Sequence, residues 1–340
     1  MHRESREPRA ATVRDVADHA GVSIATVSRA LSGSRPMSEE LKDRVLSSAA
    51  VLGYQVNLVA RALRKEKTSS FGLVIPDLEN PFFSSLAQQV SRGFSESEVD
   101  VIIASADNDI SQELRAVRSF LGRRVDGLIL IPSDETRSLE ALEMASRHVP
   151  TVQFDRFVPG TSIPFIGVDN HFGMQLVHDH IAQQVPMSHQ QLFFVGGGSS
   201  SSSGRERTAG FLALHPEANF RDGSFSFAWG QEAASGILSE GNLRGTIVCA
   251  ADVIALGVIS RLSADGLNVP HDFRLIGFDD VGVSHLVHPA LTTVRQPIFE
   301  MTSVIQEMLY DPDLTMGTQF RRVFRPDLIV RQSSPQSHYE

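Results

Sequence analysis

The sequence predicts a small all-α head followed by a larger α/β body made of two parallel, doubly wound sheets. Three observations carry that expectation: a helical apolar period confined to residues 13–52, nine short apolar runs from Phe71 onward, and a charge balance that changes sign between the two. At 340 residues the chain also exceeds what one core comfortably holds, so more than one domain is expected.

In the head, Val13, Val16, Ala17 and Ala20 fall at i, i+3, i+4 and i+7, one face of a helix. Gly21 stops it. Ser23 is placed as N-cap of a second helix carrying Val27, Ala30 and Leu31, which ends at Ser32 and Gly33. Ser38 opens a third, with Glu39 and Glu40 in its first turn, Leu41, Val45, Ala49 and Leu52 on one stripe, and Gly53 as terminator. A fourth, very short pattern, NLVARALR from Asn57, precedes the polar linker KEKTSS.

In the body, the runs FGLVIP, VDVIIAS, VDGLILIP, TVQFD, FIGV, QLFFVGG, FSFAW, TIVCA and FRLIGF alternate with longer amphipathic stretches. That rhythm is the signature of βαβ units on a parallel sheet. Nine strands suit two sheets better than one, with the division near residues 157–163. The segment GGGSSSSSG, Gly196–Gly204, lies between a strand and a helix. Arg205 stands where a phosphate-binding loop needs lysine, so a flexible connecting loop is expected there.

Composition excludes several classes. Apolar residues at 41% and charged residues at 21% are ordinary for a globular chain, and no apolar run reaches the roughly 18 residues a membrane span needs. MHRESREPRA lacks the apolar core of a secretory signal, which leads to a cytoplasmic expectation. The single cysteine, Cys249 inside TIVCA, excludes an internal disulfide framework and reads as an inert buried thiol. The 12 histidines form no ligand set: His178 and His180 point to different faces of one helix, and His285 with His288 lacks further ligands. No catalytic group, metal or cofactor is therefore assigned, and the chain is not expected to be an enzyme. Residues 1–67 carry 12 Lys or Arg against 8 Asp or Glu, whereas the remainder has a balance of −13 within the overall −9. Such asymmetry fits a head that meets a polyanion on a body that one would repel.

Three stretches, VRDVADHAGVSIATVSRAL, NLVARALR and LIGFDDVGVSHLVHPALTTVRQP, resemble the lactose and galactose repressor family of bacterial transcription regulators. The resemblance runs from about Thr12 to Arg331. It implies a helix-turn-helix DNA-binding head over 12–56, a hinge helix and linker over 57–69, and a two-lobed, periplasmic-binding-protein-like body over 70–340. Residues 1–11 are expected to form a flexible tail. The lobes are placed at about 70–160 with 290–335, and about 161–289. No leucine heptads follow RPDLIVRQSSPQSHYE, so a homodimer without a coiled-coil tail is expected.

With the apolar stripe of the second helix turned inward, Ile24, Ala25, Ser28 and Arg29 face outward, the side that enters the major groove of double-stranded DNA. Arg29 can fork onto O6 and N7 of a guanine, worth about 1–3 kcal/mol of discrimination, while Ile24 and Ala25 offer apolar contact to a thymine methyl. Arg14, Thr26 and Ser28 suit phosphate contacts, which set register. NLVARALR is too short to hold a helix alone in water. The resemblance implies that Asn57, Ala62 and Leu63 lie in the minor groove at the centre of a palindromic operator, with Leu63 wedged between base steps.

Ligands of two-lobed α/β bodies bind beyond the carboxyl ends of the strands. That rule selects Asp77, Asn80, Phe82 and Phe83 after the first strand, Asp155 and Arg156 after TVQF, Trp229 at the end of FSFAW, and Asp279 after LIGF. The resemblance places Asp155, Arg207, Trp229 and Asp279 on the effector cleft. Arginine beside carboxylates and an aromatic face suits a sugar. A nucleobase or nucleoside stacked on Phe82 and Trp229 is the competing effector. Ala251 replaces a polar residue common in relatives, which leaves the role of its neighbour Asp252 open.

Overall fold

The computed structural model describes residues 11–32, 36–55, 67–95, 99–184, 191–311 and 320–335. The chain divides into two compact units, Met1–Thr68 and Ser69–Glu340.

The first unit holds α1 (Val13–Ala20), α2 (Ile24–Ser32) and α3 (Glu39–Val51). Thr12 begins α1 with a reciprocal capping box to Asp15, satisfying donors that a helix start leaves open. Gly21 ends it in the left-handed region (φ 62°), a backbone state that glycine adopts without steric cost. Ser23 then accepts from Thr26 N at 3.2 Å, capping α2 as its position predicts. Ser38 precedes α3 but its side chain makes no capping bond. Val16, Ala17, Ala20, Val27, Ala30, Val45 and Ala49 form the core, so the apolar stripes close on one another.

The second unit contains two six-stranded sheets. The first is built from β1 (Ser70–Ile75), β2 (Asp100–Ser105), β3 (Gly127–Leu130), β4 (Thr151–Phe154), β5 (Phe165–Val168) and β11 (Arg321–Phe324) in the order β11-β5-β4-β3-β1-β2. The second uses β6 (Leu192–Val195), β7 (Asn219–Arg221), β8 (Gly245–Cys249), β9 (Phe273–Asp279), β10 (Thr292–Arg295) and β12 (Asp327–Ile329) in the order β12-β10-β9-β8-β6-β7. Neighbours pair in parallel except β10 with β12. Helices α4 (Pro81–Ser95), α5 (Ile110–Gly122), α6 (Leu139–Ser146) and α11 (Ile298–Tyr310) belong to the first lobe. The second lobe has α7 (Asn170–Ala182), α8 (Ser202–Leu214), α9 (Phe227–Ser239) and α10 (Asp252–Ala264).

Several expectations are corrected by this arrangement. β5 joins the first sheet and β10 the second, so the chain changes lobe near residues 169, 296 and 326, not near 160 and 290. FSFAW is not a strand: Ser226 caps Trp229 N, and Phe227 and Trp229 lie in the first turn of α9. The strand of that region is the polar edge segment β7. The serine-rich loop is packed, not loose, because Ser201, Ser202 and Ser203 are buried and Ser201 caps Gly204 N. A Cβ on Gly204 would lie 2.1 Å from Gly197 O, which is why the first turn of α8 can rest on the loop backbone. Cys249 is buried, and burial pushes its thiol pKa well up, as an inert thiol requires.

Candidate DNA-reading helix and effector cleft

On α2, Val27 and Ala30 are buried while Ile24, Ala25 and Arg29 are exposed, so the helix has a free face. Ile24 is 44% exposed and is not spent on the head's own core. The Arg29 guanidinium lies along the helix, donating to Ala25 O at 3.3 Å and Thr26 Oγ1 at 3.4 Å. Thr26 Oγ1 is also 2.9 Å from Ser23 Oγ. Arg14 is exposed on α1, and Ser28 is half-buried. Asn57, Ala62 and Leu63 lie outside the described residues.

In the body, the carboxyl ends of β4 and β9 deliver Asp155 and Asp279. Both have positive φ, 62° and 116°, and Asp279 holds a conformation that non-glycine residues rarely adopt. Such strain persists only where surrounding structure fixes it, and it recurs at ligand sites. Arg207, from α8, reaches the same point. Its Nε donates to Asn170 Oδ1 at 2.9 Å, and its Nη1 donates to Ala250 O at 2.8 Å and Asp279 Oδ1 at 3.2 Å. The guanidinium lies 3.6 Å from the Phe278 ring centroid. Gln296, at a lobe crossing, donates from Nε2 to Asp279 Oδ1 at 2.8 Å.

Burial pushes the Asp279 pKa up to about 7, against the pull of Arg207. Asp155 is likewise raised by burial, opposed by Arg207 and Arg156. Arg156 is buried between the lobes. Its guanidinium lies 5.2 Å from the Phe83 centroid in the first lobe and 5.5 Å from that of Phe225 in the second, and its Nη1 donates to Pro132 O at 3.2 Å.

Further bonds join the lobes beside this cluster. Glu135 N donates to Ser200 O at 2.8 Å, Phe157 N donates to Ser202 Oγ at 2.7 Å, and Arg205 pairs with Glu135 at 3.0 Å. Asp279 and Gln296 also form part of the wall of an open cavity of about 500 Å³ that reaches Ser85, Gln88 and Phe299.

Asp155, Arg207 and Asp279 therefore converge with Arg156, while other sequence-selected residues have different employment. Asn80 caps the start of α4, its Oδ1 accepting from Phe82 N at 3.0 Å. Phe82 and Phe83 are buried in the first lobe's core, which corrects the expectation that Phe82 offers a stacking face. Trp229 Nε1 donates to Gly196 O at 2.8 Å, and the Gly223 backbone lies so close to its ring that a Cβ there would clash at 2.3 Å. Asp252 is structural: its carboxylate accepts from Val281 N at 3.0 Å, Thr293 Oγ1 at 2.6 Å and Ser284 Oγ. Asn170 and Gln296 were not singled out from the sequence, although Gln296 directly follows β10 and Asn170 opens the helix two residues beyond β5.

His178 and His180 do face different ways. His178 Nδ1 meets His215 Nε2 at 3.2 Å, whereas His180 Nε2 lies 2.9 Å from Ser334 O. Among the described residues no cluster of three or more His, Cys, Asp or Glu could hold a metal ion, and no helix is long and apolar enough to cross a membrane.

A three-helix head with an exposed recognition face and a body with polar groups converging between two parallel-sheet lobes define a class: a ligand-responsive DNA-binding regulator. Residues 12–57 match the lacI family of bacterial regulatory proteins, and residues 185–334 match a periplasmic binding protein-like domain. The chain is 31% identical over 306 residues to catabolite control protein A of Priestia megaterium, covering 88% of this chain and 91% of that protein. It is 32% identical to the transcriptional regulator GalR of Escherichia coli, with 95% of each covered. It is 29% identical to the repressor PurR of Haemophilus influenzae, with 95% and 98% covered. The structure of the lac repressor dimer bound to operator and the anti-inducer ONPF superposes with a TM-score of 0.83 at 26% identity, covering 96% of this chain and all of that one. The chain belongs to the lacI family of bacterial regulatory proteins; it is a DNA-binding transcriptional regulator and not an enzyme.

Proposed function

We propose that the protein acts in the cytoplasm as a homodimeric repressor whose affinity for a palindromic operator is set by a sugar held between the body's lobes. Arg29, Ile24, Ala25 and Ser28 read the major groove, Arg14 and Thr26 hold phosphates, and Asn57, Ala62 and Leu63 occupy the minor groove at the dyad. Asp155, Arg207 and Asp279 bind the effector, with Arg156 and Gln296 beside them.

The observation that carries this reading is the convergence of three buried charged groups from different strands and a helix at the lobe junction, in a chain whose head exposes Arg29. A ligand there touches both lobes and so favours one lobe angle over another, which is the differential affinity any allosteric effect requires.

The test begins by selecting operator DNA with the full chain and then measuring fluorescence anisotropy at fixed salt against that operator, with and without free sugars. Support is a palindromic selected site and an operator affinity that changes at least about tenfold, or 1.4 kcal/mol, with one sugar. Selection of no common sequence would remove the specific-repressor reading.

A further inference from the structure

We infer that Thr26 is a positioning residue for base reading: its hydroxyl holds the Arg29 guanidinium at the first turn of α2, so that the phosphate contact and the guanine contact form as one unit. This rests on the DNA-reading face proposed above and adds a residue that acts on sequence through Arg29.

Arg29 stands in the last turn of α2, where a cation ordinarily settles near the open carbonyls at the helix end. Its side chain runs the other way. The guanidinium lies back along the helix, with Nε donating to Ala25 O at 3.3 Å and Nη2 donating to Thr26 Oγ1 at 3.4 Å. Long helical side chains lean toward the N-terminus, but the positive end of the macrodipole is there and no acidic residue stands in that first turn. The acceptors on Ala25 and Thr26 therefore oppose a field that pushes the cation away. Their effect is to bring Arg29 beside the N-terminal residues of a recognition helix, the ones that meet base edges.

The two bonds also select which part of the fork reads DNA. A guanidinium carries its N–H groups in one plane, and Nε with the nearer hydrogen of Nη2 forms one edge of it. That edge is turned to the helix. A guanine met by the end of the fork, through Nη1 and the outer hydrogen of Nη2, receives bonds at O6 and N7 while both helix bonds stay intact.

Thr26 connects this fork to the DNA backbone. Arginine has no acceptor, so the Thr26 oxygen accepts from it. Thr26 Oγ1 is also 2.9 Å from Ser23 Oγ, and Ser23 Oγ accepts from Thr26 N at 3.2 Å. With Ser23 donating into the second lone pair of Thr26 Oγ1, the single hydroxyl hydrogen of Thr26 is directed outward, to the phosphate assigned to it above. Thr26 is half-buried and Arg29 is exposed, so the hydroxyl is the better fixed of the two. A phosphate that orders the Thr26 hydroxyl thereby orders the longer side chain that leans on it.

The experiment is fluorescence anisotropy on the full chain at one salt concentration. Its two duplexes are the operator selected by the native protein and the same operator with adenine at the guanine whose preference Arg29→Ala abolishes. The readout is the ratio of the two affinities. In Thr26→Val the ratio is expected to fall about fivefold, because only the guanine duplex immobilises an arginine that is no longer held. Thr26→Ser keeps the hydroxyl and should keep the ratio within about twofold, and T26V added to R29A should leave the ratio where R29A puts it. If T26V weakens both duplexes equally, Thr26 is a phosphate contact alone and the inference is overturned. A T26S ratio as low as that of T26V, or a further fall in the R29A background, overturns it as well. A native chain with no guanine preference that R29A abolishes removes Arg29 as the reader, and that failure is visible before any Thr26 variant is measured.

Discussion

Replacing Arg207 with alanine tests whether the buried charge cluster is organised as described. The side chain is 3% exposed, and its removal takes the Arg207 donors from Ala250 O and Asn170 Oδ1 and leaves Asp279 with Gln296 Nε2, in a buried site where water does not readily replace them. Breaking a buried pair by deleting one partner costs about 3–5 kcal/mol.

The pH dependence carries a sign. Asp279 has a folded pKa of about 7, above its ordinary 3.8, so the folded state binds the proton more tightly. Its contribution to stability is present below about pH 4 and is lost as pH rises through about 7. Without Arg207, the main group opposing that rise, the folded pKa climbs further and the loss extends above pH 7. R207A should therefore cost about 3 kcal/mol at pH 6 and approach 5 at pH 8. At about 2–4 °C per kcal/mol, the smaller figure lowers the thermal midpoint by about 6–12 °C.

Trp229, the only tryptophan, donates to the Gly196 backbone in the same lobe and reports unfolding directly by fluorescence. A loss well below about 3 kcal/mol at pH 8, or an unchanged pH slope between 6 and 8, would refute the buried-pair geometry.

Three further outcomes follow from the same geometry. Asp252→Ala leaves Val281 N, Ser284 and Thr293 without their shared acceptor and should cost about 3 kcal/mol in scanning calorimetry; a cost near zero would show that the Asp252 tie is dispensable. Arg29→Lys keeps the charge but loses the fork, so discrimination for guanine should fall by about 1–3 kcal/mol in anisotropy titrations with substituted operators, with the salt slope unchanged. Leu63→Ala should weaken operator binding at fixed salt through loss of the wedge; equal affinity would remove Leu63 from the minor groove.

Much of this was legible in the sequence where local physics decides. The head was readable because Gly21 and Ser23 are stop and start signals that act within a turn, whereas the Thr12 capping box of α1 emerges only in the structure. Asp155 and Asp279 were readable because strand ends point into clefts. What failed was non-local. The FSFAW run has strand composition, but Ser226 can cap Trp229 N, and a helix then places Trp229 over Gly223.

β10, TTVR, lacks an apolar run yet has a strand on each side, and its threonine hydroxyls are paired, Thr293 with Asp252 and Thr292 with Arg331 O. The edge strands β7, β11 and β12 carry little apolar signal, since one side of each meets no strand. Which sheet receives β5 depends on pairing with β4 and β11, residues far apart in sequence. The sequence left the role of Asp252 open, because it follows a strand without showing which way its carboxylate turns. Gly277, where a Cβ would lie 2.1 Å from Asp252 Oδ1, was the signal that this carboxylate is turned into the fold.

The most direct measurement is the complete binding cycle on the full chain: operator affinity with and without saturating free sugar, and sugar affinity with and without saturating operator, at one salt concentration and pH. Coupling through the lobes requires the two ratios to be equal, so a tenfold effect in one direction must appear as tenfold in the other, about 1.4 kcal/mol each way. In Asp155→Asn the sugar concentration that gives half of the operator effect should rise, because the sugar binds more weakly there. A sugar that binds with an Asp155-dependent affinity yet leaves operator affinity unchanged would contradict control of DNA binding from the cleft.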